Sequence, residues 1–118
     1  MSVLSNVGEW RGHDVYLNNG EKLGKLDDVY YDAETDVPQF LCVRTGTLTH
    51  KQVLVPAANV TPSPAKLTVA WGQGVISEAP TMKPGQQLTS QDEERVFRHY
   101  GMDYATPDTA SGRRLIRR

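Results

Sequence analysis

Three histidines are the residues of this chain best suited to metal binding or proton transfer, and their spacing argues against a shared site. His13, His50 and His99 are widely separated in the chain, whereas zinc sites usually show short ligand spacings such as His-x3-His. His13 adjoins Asp14 in a predicted strand, His50 lies beside Lys51 in a loop, and His99 ends a predicted helix. We therefore expect three structural histidines and no metal or other cofactor. An enzyme or metal site assembled from all three by folding is the alternative.

The single cysteine, Cys42, is the next candidate for chemistry. It lies in the apolar run Phe40-Leu41-Cys42-Val43, whereas a reactive thiol needs a positively charged and partly exposed setting. A free cysteine in such a run is usually buried. The sequence also has no Gly-x-Ser-x-Gly turn for a nucleophile and no Walker motif for a nucleotide. We therefore expect a chain that is not an enzyme.

An acidic stretch runs through the first third of the chain. It lacks the alternating ligands, the central glycine and the terminal glutamate of a calcium loop. The pattern favours a solvated hairpin, and a diffuse acidic surface that attracts a basic partner is the alternative. The carboxylates concerned are Asp27, Asp28, Asp32, Glu34 and Asp36.

Arginines are concentrated at the C-terminal end. Residues 1–112 hold 9 basic and 14 acidic residues, whereas the last six residues carry four arginines around an apolar pair. The acidic balance of the body argues against a nucleic-acid surface on the domain itself. We expect residues 105–118 to form a flexible tail. Attraction of the tail to an anionic membrane surface, at about 1 kcal/mol per basic residue, is the alternative, and contact with nucleic acid or with a neighbour's acidic surface also stays open. The four are Arg113, Arg114, Arg117 and Arg118.

Length and composition predict one globular domain without a membrane span. The chain has 118 residues, of which 38% are hydrophobic and 23% charged, which is ordinary for a single domain. No apolar stretch is long enough for a transmembrane helix, and the first residues lack the pattern of a signal peptide. We expect a cytoplasmic protein, with peripheral attachment to the inner membrane as the alternative.

Short strands separated by turn signals dominate residues 12–71. Asn18-Asn19-Gly20 is a tight-turn signal because Asn and Gly tolerate positive φ. Leu26 and Val29 are three residues apart, and a β-bulge would return both to one face. The spacing predicts a mainly β fold, a small barrel of five to six short antiparallel strands whose closure hides the edges. The expected strands cover residues 12–17, 25–31, 39–45, 52–55 and 66–71.

The apolar pattern changes period after residue 88. Ser90 and Glu93 fit a capping box, and Val96, Phe97 and Tyr100 offer an apolar face, so one short helix is predicted at 91–100. We divide the chain into a barrel domain at 1–80, a linker and helix at 81–104 that packs on or beside the barrel, and the tail at 105–118. The expected core is Val15, Leu23, Leu26, Val29, Tyr31, Leu41, Val43, Val53, Val55, Val60, Leu67, Val69 and Trp71.

The ordered set of signals resembles the PRC-barrel family over about residues 9–80. The motifs that carry the resemblance are Gly12-x-x-Val15-Tyr16-x-x-x-Gly20-Glu21-x-Leu23-Gly24-Lys25-Leu26-x-Asp28-Val29-x-x-Asp32, then Phe40-Leu41-x-Val43-Arg44-Thr45-Gly46 and Val53-Leu54-Val55-Pro56. The segment from Leu88 to Tyr104 is similar to the tail of small bacterial members, some of which are fused to stress-linked domains. The resemblance implies a small barrel that binds larger assemblies and has no shared catalytic residues.

The resemblance also brings two specific roles that this sequence does not match in full. The family includes the cytoplasmic domain of the photosynthetic reaction-centre H subunit, which carries a membrane helix that we do not expect here. It also includes the C-terminal domain of the ribosome-maturation factor RimM, which follows an RNA-associated domain that we do not expect here.

The function expected from the sequence is therefore a non-catalytic protein-interaction or assembly module. Its partner is another protein or a second copy in a homodimer, since small barrels can pair through an edge strand. A peripheral membrane or reaction-centre H-like accessory role, and a role linked to RNA or ribosome maturation, are the alternatives. The candidate contact residues are Phe40, Leu54, His50, Lys51, Val96, Phe97, Arg113, Arg114, Arg117 and Arg118.

Overall fold

The computed structural model describes residues 6–45, 51–83 and 86–117. A 3-10 turn at Val7–Trp10 precedes the first strand, and two short α-helices, α1 (Gln73–Ser77) and α2 (Ser90–His99), lie in the second half of the chain. The strands are β1 (Asp14–Tyr16), β2 (Lys22–Asp32), β3 (Pro38–Thr45), β4 (Lys51–Pro56), β5 (Thr61–Ser63), β6 (Lys66–Thr68), β7 (Thr81–Met82) and β8 (Leu115–Arg117).

All eight strands belong to one sheet in the order β5-β6-β1-β2-β3-β4-β7, with β8 added to β2. The long strand β2 organises the sheet, because it pairs with β3 along most of its length, with β1 through its first residues and with β8 through its last. Most neighbours are antiparallel, but β1 and β6 are parallel. The expected mainly β fold is confirmed.

The expected closed barrel of five to six antiparallel strands is wrong in its strand number, in its uniform direction and in its closure. Among the described residues, the two strands that end the sheet, β5 and β7, do not pair with each other. β5 contains Pro62, which has no N–H to donate to a second neighbour, and β7 has only two residues. Both are poor partners for a closing ladder, so the sheet stays open.

The turn and the bulge predicted in the first half are confirmed. Gly20 closes the turn with φ +91° and donates its N–H to the carbonyl of Leu17 at 3.0 Å. The pairing of β2 with β3 shifts register between Leu26 and Asp28. The shift leaves Leu26 and Val29 both buried, as expected for a bulge that turns two residues onto the same side.

The central strands β3 and β4 are buried on both faces. Leu41 and Val43 lie on one face with their β4 partners Val55 and Val53. Phe40 lies on the opposite face, where its ring meets that of Phe97 on α2 at 5.1 Å between centroids. Nine expected core residues are buried, namely Val15, Leu26, Val29, Leu41, Val43, Val53, Val55, Leu67 and Val69, whereas Leu23, Tyr31, Val60 and Trp71 are partly buried and pack against them.

The second half contains two local differences from the sequence prediction. Helix α1 at Gln73–Ser77 is present although the sequence predicted only the helix at 91–100. The capping box of α2 is formed by Thr89 and Asp92, one residue earlier than expected. Among the described residues, no helix is both long and apolar enough to cross a membrane.

In place of the flexible tail that the sequence predicted, the chain forms β8. Leu115, Ile116 and Arg117 pair with Asp32, Tyr31 and Tyr30 of β2, and the Leu115 side chain is buried. Two effects favour the ordered strand over a flexible tail. Burial of Leu115 removes apolar surface from water, and pairing with β2 satisfies backbone N–H and carbonyl groups.

Candidate functional site

The described histidines are held separately by backbone carbonyl groups. His13 Nδ1 lies 3.1 Å from the carbonyl oxygen of Trp10, and its ring packs against the Trp10 ring at 5.0 Å between centroids. His99 Nε2 lies 2.7 Å from the carbonyl oxygen of Val75. Within residues 6–45, 51–83 and 86–117, no three His, Cys, Asp or Glu side chains are grouped to hold a metal. His50 lies outside the described residues.

Cys42 is enclosed in the core, as the sequence predicted. Its side chain is buried on β3. Burial is the main cause that raises the pKa of its thiol to about 12, and the nearby carboxylates of Asp27 and Asp28 act in the same direction. The nucleophilic thiolate is therefore disfavoured near neutral pH.

We expect the Cys42 thiol to be inert in the folded protein. At pH 8 the chain should react with a thiol-specific disulfide reagent only after denaturant is added, because access and ionisation both require unfolding. The measurement is the absorbance released by the reagent with and without urea, and the denatured sample is its own control. Full reaction of the native chain within minutes would contradict the core position of Cys42.

The acidic stretch lies in the β2–β3 hairpin, whose turn at residues 34–37 is exposed, and several of its carboxylates contact basic or amide side chains. Asp27 lies 2.9 Å from Arg44 and accepts a hydrogen bond from Gln52 at 2.6 Å. Asp28 lies 3.2 Å from Arg11. These contacts place the charges of Asp27 and Asp28 in ion pairs.

Four expected contact residues are enclosed, so the sequence assignment of Phe40, Leu54, Val96 and Phe97 to an interface is wrong. Phe40 and Leu54 have no exposed surface, and Val96 and Phe97 are buried between α2 and the sheet. The cause is the cover that α2 provides over the second face of β3 and β4. Lys51 is exposed at the start of β4, and His50 and Arg118 lie outside the described residues.

Glu93 of α2 is the only fully buried carboxylate among the described residues, and it holds the start of β8. Its two oxygens accept hydrogen bonds from the N–H groups of Leu115 at 2.7 Å and Arg114 at 2.9 Å. The Tyr104 hydroxyl donates a third at 2.7 Å. Burial and this hydrogen bond raise the pKa of Tyr104 to about 12. The Glu93 carboxylate therefore holds the start of β8 through the backbone N–H groups of that segment. These hydrogen bonds do not depend on which side chains the segment carries.

Arg114 holds β8 from the opposite side by its side chain. Its guanidinium lies 2.8 Å from Asp32 and 2.6 Å from Glu34 and donates a hydrogen bond to the carbonyl of Ala105. Burial raises the pKa of Asp32, but hydrogen bonds from Arg114 and from the N–H groups of Glu34 and Thr35 outweigh it, so this pKa lies below its usual value. Arg114 is therefore committed to the fold and is largely withdrawn from solvent.

An open cleft lies beside β8 and is lined by Arg113 and Arg117, which stand two residues before and one residue after the apolar pair Leu115-Ile116. The cleft has a volume of about 360 Å³. We call it the arginine cleft; its lining residues are Tyr30, Gln87, Leu88, Arg113, Leu115, Ile116 and Arg117. A second depression of about 260 Å³ shares Gln87, Leu88 and Arg113 with it and adds Thr89, Ser90 and Ser111. None of these described lining residues is acidic, so both depressions are positively charged.

The two arginines of the cleft have weaker partners than Arg114. The Arg113 guanidinium contacts the side-chain amide of Gln87, whose oxygen accepts from it when the amide is oriented with that oxygen toward Arg113. Arg117 lies 3.8 Å from Asp28, a carboxylate that Arg11 approaches more closely, and its guanidinium lies over the Tyr30 ring at 5.9 Å. A guanidinium in this setting retains N–H groups that can bind a carboxylate in the bidentate geometry.

The sequence assigned Glu93 to a capping box and did not predict its role as a buried carboxylate, although a signal was present. Glu93 stands three residues before Val96, four before Phe97 and seven before Tyr100, which is the spacing of one helix face. A carboxylate on the apolar face of a helix needs buried donors. That signal predicts a chain segment with free N–H groups against α2, and β8 is that segment.

Two comparisons with known proteins bear on this architecture. A family model described as a PRC-barrel domain matches residues 4–70, more than half of the chain. The match covers β1 to β6 and ends before both helices and β8. No curated protein matches the chain at a significant level.

Proposed function

Because the chain belongs to the PRC-barrel family, we propose that it is a non-catalytic protein-interaction and assembly module. The observation that carries the proposal is the arginine cleft, an open depression beside a strand that is held by hydrogen bonds to Glu93 and by the ion pairs of Arg114. Arg113 and Arg117 line it without an acidic neighbour in the lining, and arginine is enriched at the residues that dominate binding energy. The proposed partner is another protein chain, with a second copy of this chain as one form of it.

The shape and charge of the cleft favour a protein surface over a small molecule. Small-molecule sites are usually enclosed and bury most of the ligand, whereas this cleft is open along one side of β8. Besides the two arginines, the cleft is lined by partly exposed Ile116 and by Leu88 and Leu115, which are buried. A combination of apolar and charged side chains is typical of protein interfaces, where the charged groups set specificity.

The test is a paired-variant capture from a native lysate. We expect the wild-type chain and the control R95A/R98A to retain the same partner, because Arg95 and Arg98 are 68% and 70% exposed and pair only along α2. R113A/R117A should lose the partner, and size-exclusion chromatography of the same proteins shows whether that partner is a second copy. Capture that is equal for all three proteins, or at background for all three, would refute the proposal.

Attachment to a membrane surface is the second candidate, favoured by the position of Ile116 between Arg113 and Arg117. Each basic residue near an anionic surface contributes about 1 kcal/mol, but Arg114 is paired with Asp32 and Glu34 and adds little. Flotation with anionic vesicles measures this role. Equal flotation of the wild-type chain and R113A/R117A would remove it.

A further inference from the structure

We propose that β8 is an exchangeable strand, and that the site it occupies on β2 and α2 also takes residues 114–117 of a second copy of this chain. Reciprocal exchange of β8 between two chains gives a homodimer by domain swapping. The inference goes beyond the proposed function, because the surface concerned is the one that β8 covers and not the arginine cleft. We call this surface the β8 site; it consists of the β2 backbone at residues 30–32 and the carboxylates of Asp32, Glu34 and Glu93.

The groups that hold β8 in the β8 site belong to residues 114–117. Arg114 supplies a backbone N–H to Glu93 and its guanidinium to the other two carboxylates. Leu115 supplies a second N–H to Glu93 and the buried side chain, and the ladder with β2 runs to Arg117. A second copy presents the same residues, so it satisfies the site without leaving a buried donor or carboxylate unpaired.

The β8 site is an edge of β2 that the other described strands leave open. β8 pairs with β2 outside the path that joins the remaining strands of the sheet. The family match at residues 4–70 also ends well before β8. Without β8, the backbone groups of β2 at residues 30–32 would lack their ladder partners on that side, and such an edge is a template for a strand from another chain.

The chain before β8 is anchored to its own α2 as far as Pro107. The Tyr104 hydroxyl donates a hydrogen bond to Glu93, and the Tyr104 ring packs on Phe97 at 5.1 Å between centroids. Pro107 is buried. Residues 108–113, which are exposed or partly exposed, are therefore the segment that must change in an exchange, and we call them the hinge turn.

The hinge turn folds β8 back onto its own chain. The Gly112 N–H donates to the carbonyl of Thr109 at 3.1 Å, as in a β-turn, and Gly112 has φ +70°. If the hinge turn opened to an extended chain, residues 108–113 would span roughly 20 Å. The shortest extent of the molecule is 24 Å, so an extended hinge is long enough to bring β8 to a neighbouring copy.

Gly112 controls the balance between the two forms. Both forms have the contacts of the β8 site, so they differ in the conformation of the hinge turn and in their dependence on chain concentration. A Cβ atom at Gly112 would meet no atom within 4 Å. A side chain there would therefore act through the backbone alone, and a β-branched residue strongly disfavours the positive φ of the closed turn.

The first test is Gly112→Val, measured by sedimentation equilibrium after refolding at a series of concentrations. We expect the variant to dimerise about ten-fold more strongly than the wild-type chain, because both chains of the dimer escape the left-handed conformation. Gly101→Val is the matched control. Gly101 also has φ +70° and no atom within 4 Å of an added Cβ, but it lies outside the hinge turn. The control should lose stability without stronger dimerisation.

The second test locates the docked strand by a disulfide between two chains. Tyr31 and Ile116 are directly opposed in the ladder of β2 with β8, at a separation that a disulfide spans. One chain carries Tyr31→Cys, and a second chain of different size carries Ile116→Cys. The two are unfolded and refolded together, and mild oxidation follows after refolding has buried Cys42.

The control for collision replaces the first chain by Val75→Cys, at a position that is 37% exposed on α1. We expect the mixed disulfide of Tyr31→Cys with Ile116→Cys in about five-fold excess over this control, because docking raises the effective concentration of the pair to the millimolar range. A single chain with both substitutions should form the disulfide internally as a monomer, which checks the geometry of the pair.

A mixed disulfide at the level of the collision control, or equal dimerisation of Gly112→Val and Gly101→Val, would overturn the exchange. R113A/R117A keeps the contacts of the β8 site, so it should exchange like the wild-type chain, whereas a dimer formed through the arginine cleft would be lost. The lysate capture decides the proposed function separately. Loss of a partner in R113A/R117A without the mixed disulfide would support that function and refute the exchange, and the mixed disulfide with equal capture would do the reverse.

Discussion

Replacing Phe40 by alanine is expected to lower the free energy of unfolding by about 3–5 kcal/mol, the usual loss for a fully buried phenylalanine. Phe40 joins β3 to α2 through its edge-on contact with Phe97 and a second contact with Tyr100 at 6.3 Å between centroids. Truncation would leave a cavity between helix and sheet that neither element can close alone. Urea unfolding followed by Trp fluorescence measures the loss as a shift of the midpoint at constant slope.

The matched control is Val37→Ala, at a position that is 41% exposed. Its expected change is within about 0.5 kcal/mol, as for most surface substitutions. The comparison separates a core role from an interface role. If Phe40→Ala kept its stability and changed its self-association, Phe40 would be an interface residue, as the sequence predicted. That result would contradict the packing of α2 on Phe40.

Glu93→Gln is expected to lower the free energy of unfolding by about 2–3 kcal/mol, because hydrogen bonds to a buried charged group are among the strongest and unpaired buried donors are costly. The amide keeps the shape of the side chain but offers one acceptor oxygen to three donors, and its NH2 group would face an N–H of β8. Release of Arg114 to Arg117 should follow. Urea unfolding measures the stability loss, and trypsin cleavage at Arg114 reports release of the strand.

Glu94→Gln is the control for the same chemical change one residue along α2. Glu94 is 44% exposed and pairs with Arg98 at helical spacing, so its loss should cost about 0.5 kcal/mol or less. Equal effects of the two substitutions, with β8 still resistant to trypsin, would mean that Glu93 does not hold the strand.

The sequence predicted the local features of the sheet well, because they depend on neighbouring residues. The turn at Gly20 follows from the tolerance of glycine for positive φ, and the bulge between Leu26 and Asp28 follows from the break in alternation. Both are present. The family resemblance was carried by the same segments, which lie within the region that the family model matches.

The sequence prediction failed where distant segments meet. The sequence assigns Phe40 and Leu54 to an interface, whereas the unbroken apolar run of β3 is typical of a strand buried on both sides. The sequence predicts a flexible tail because the residues that hold this segment, Glu93, Asp32 and Glu34, are distant from it in the chain. The position of Glu93 on the apolar face of α2 indicates that some segment with free N–H groups packs there, but no local pattern identifies residues 115–117 as that segment or places Arg114 beside Asp32 and Glu34.

Amide hydrogen exchange of the wild-type chain, resolved at Leu115 and Ile116, tests the central claim most directly, because the arginine cleft exists only if β8 is docked. We predict protection of both amides close to that of Val29 in β2, since Leu115 donates to buried Glu93 and Ile116 pairs with Tyr31. Exchange at the rate of an unstructured peptide would show a free tail and no cleft, and would contradict the proposed binding site.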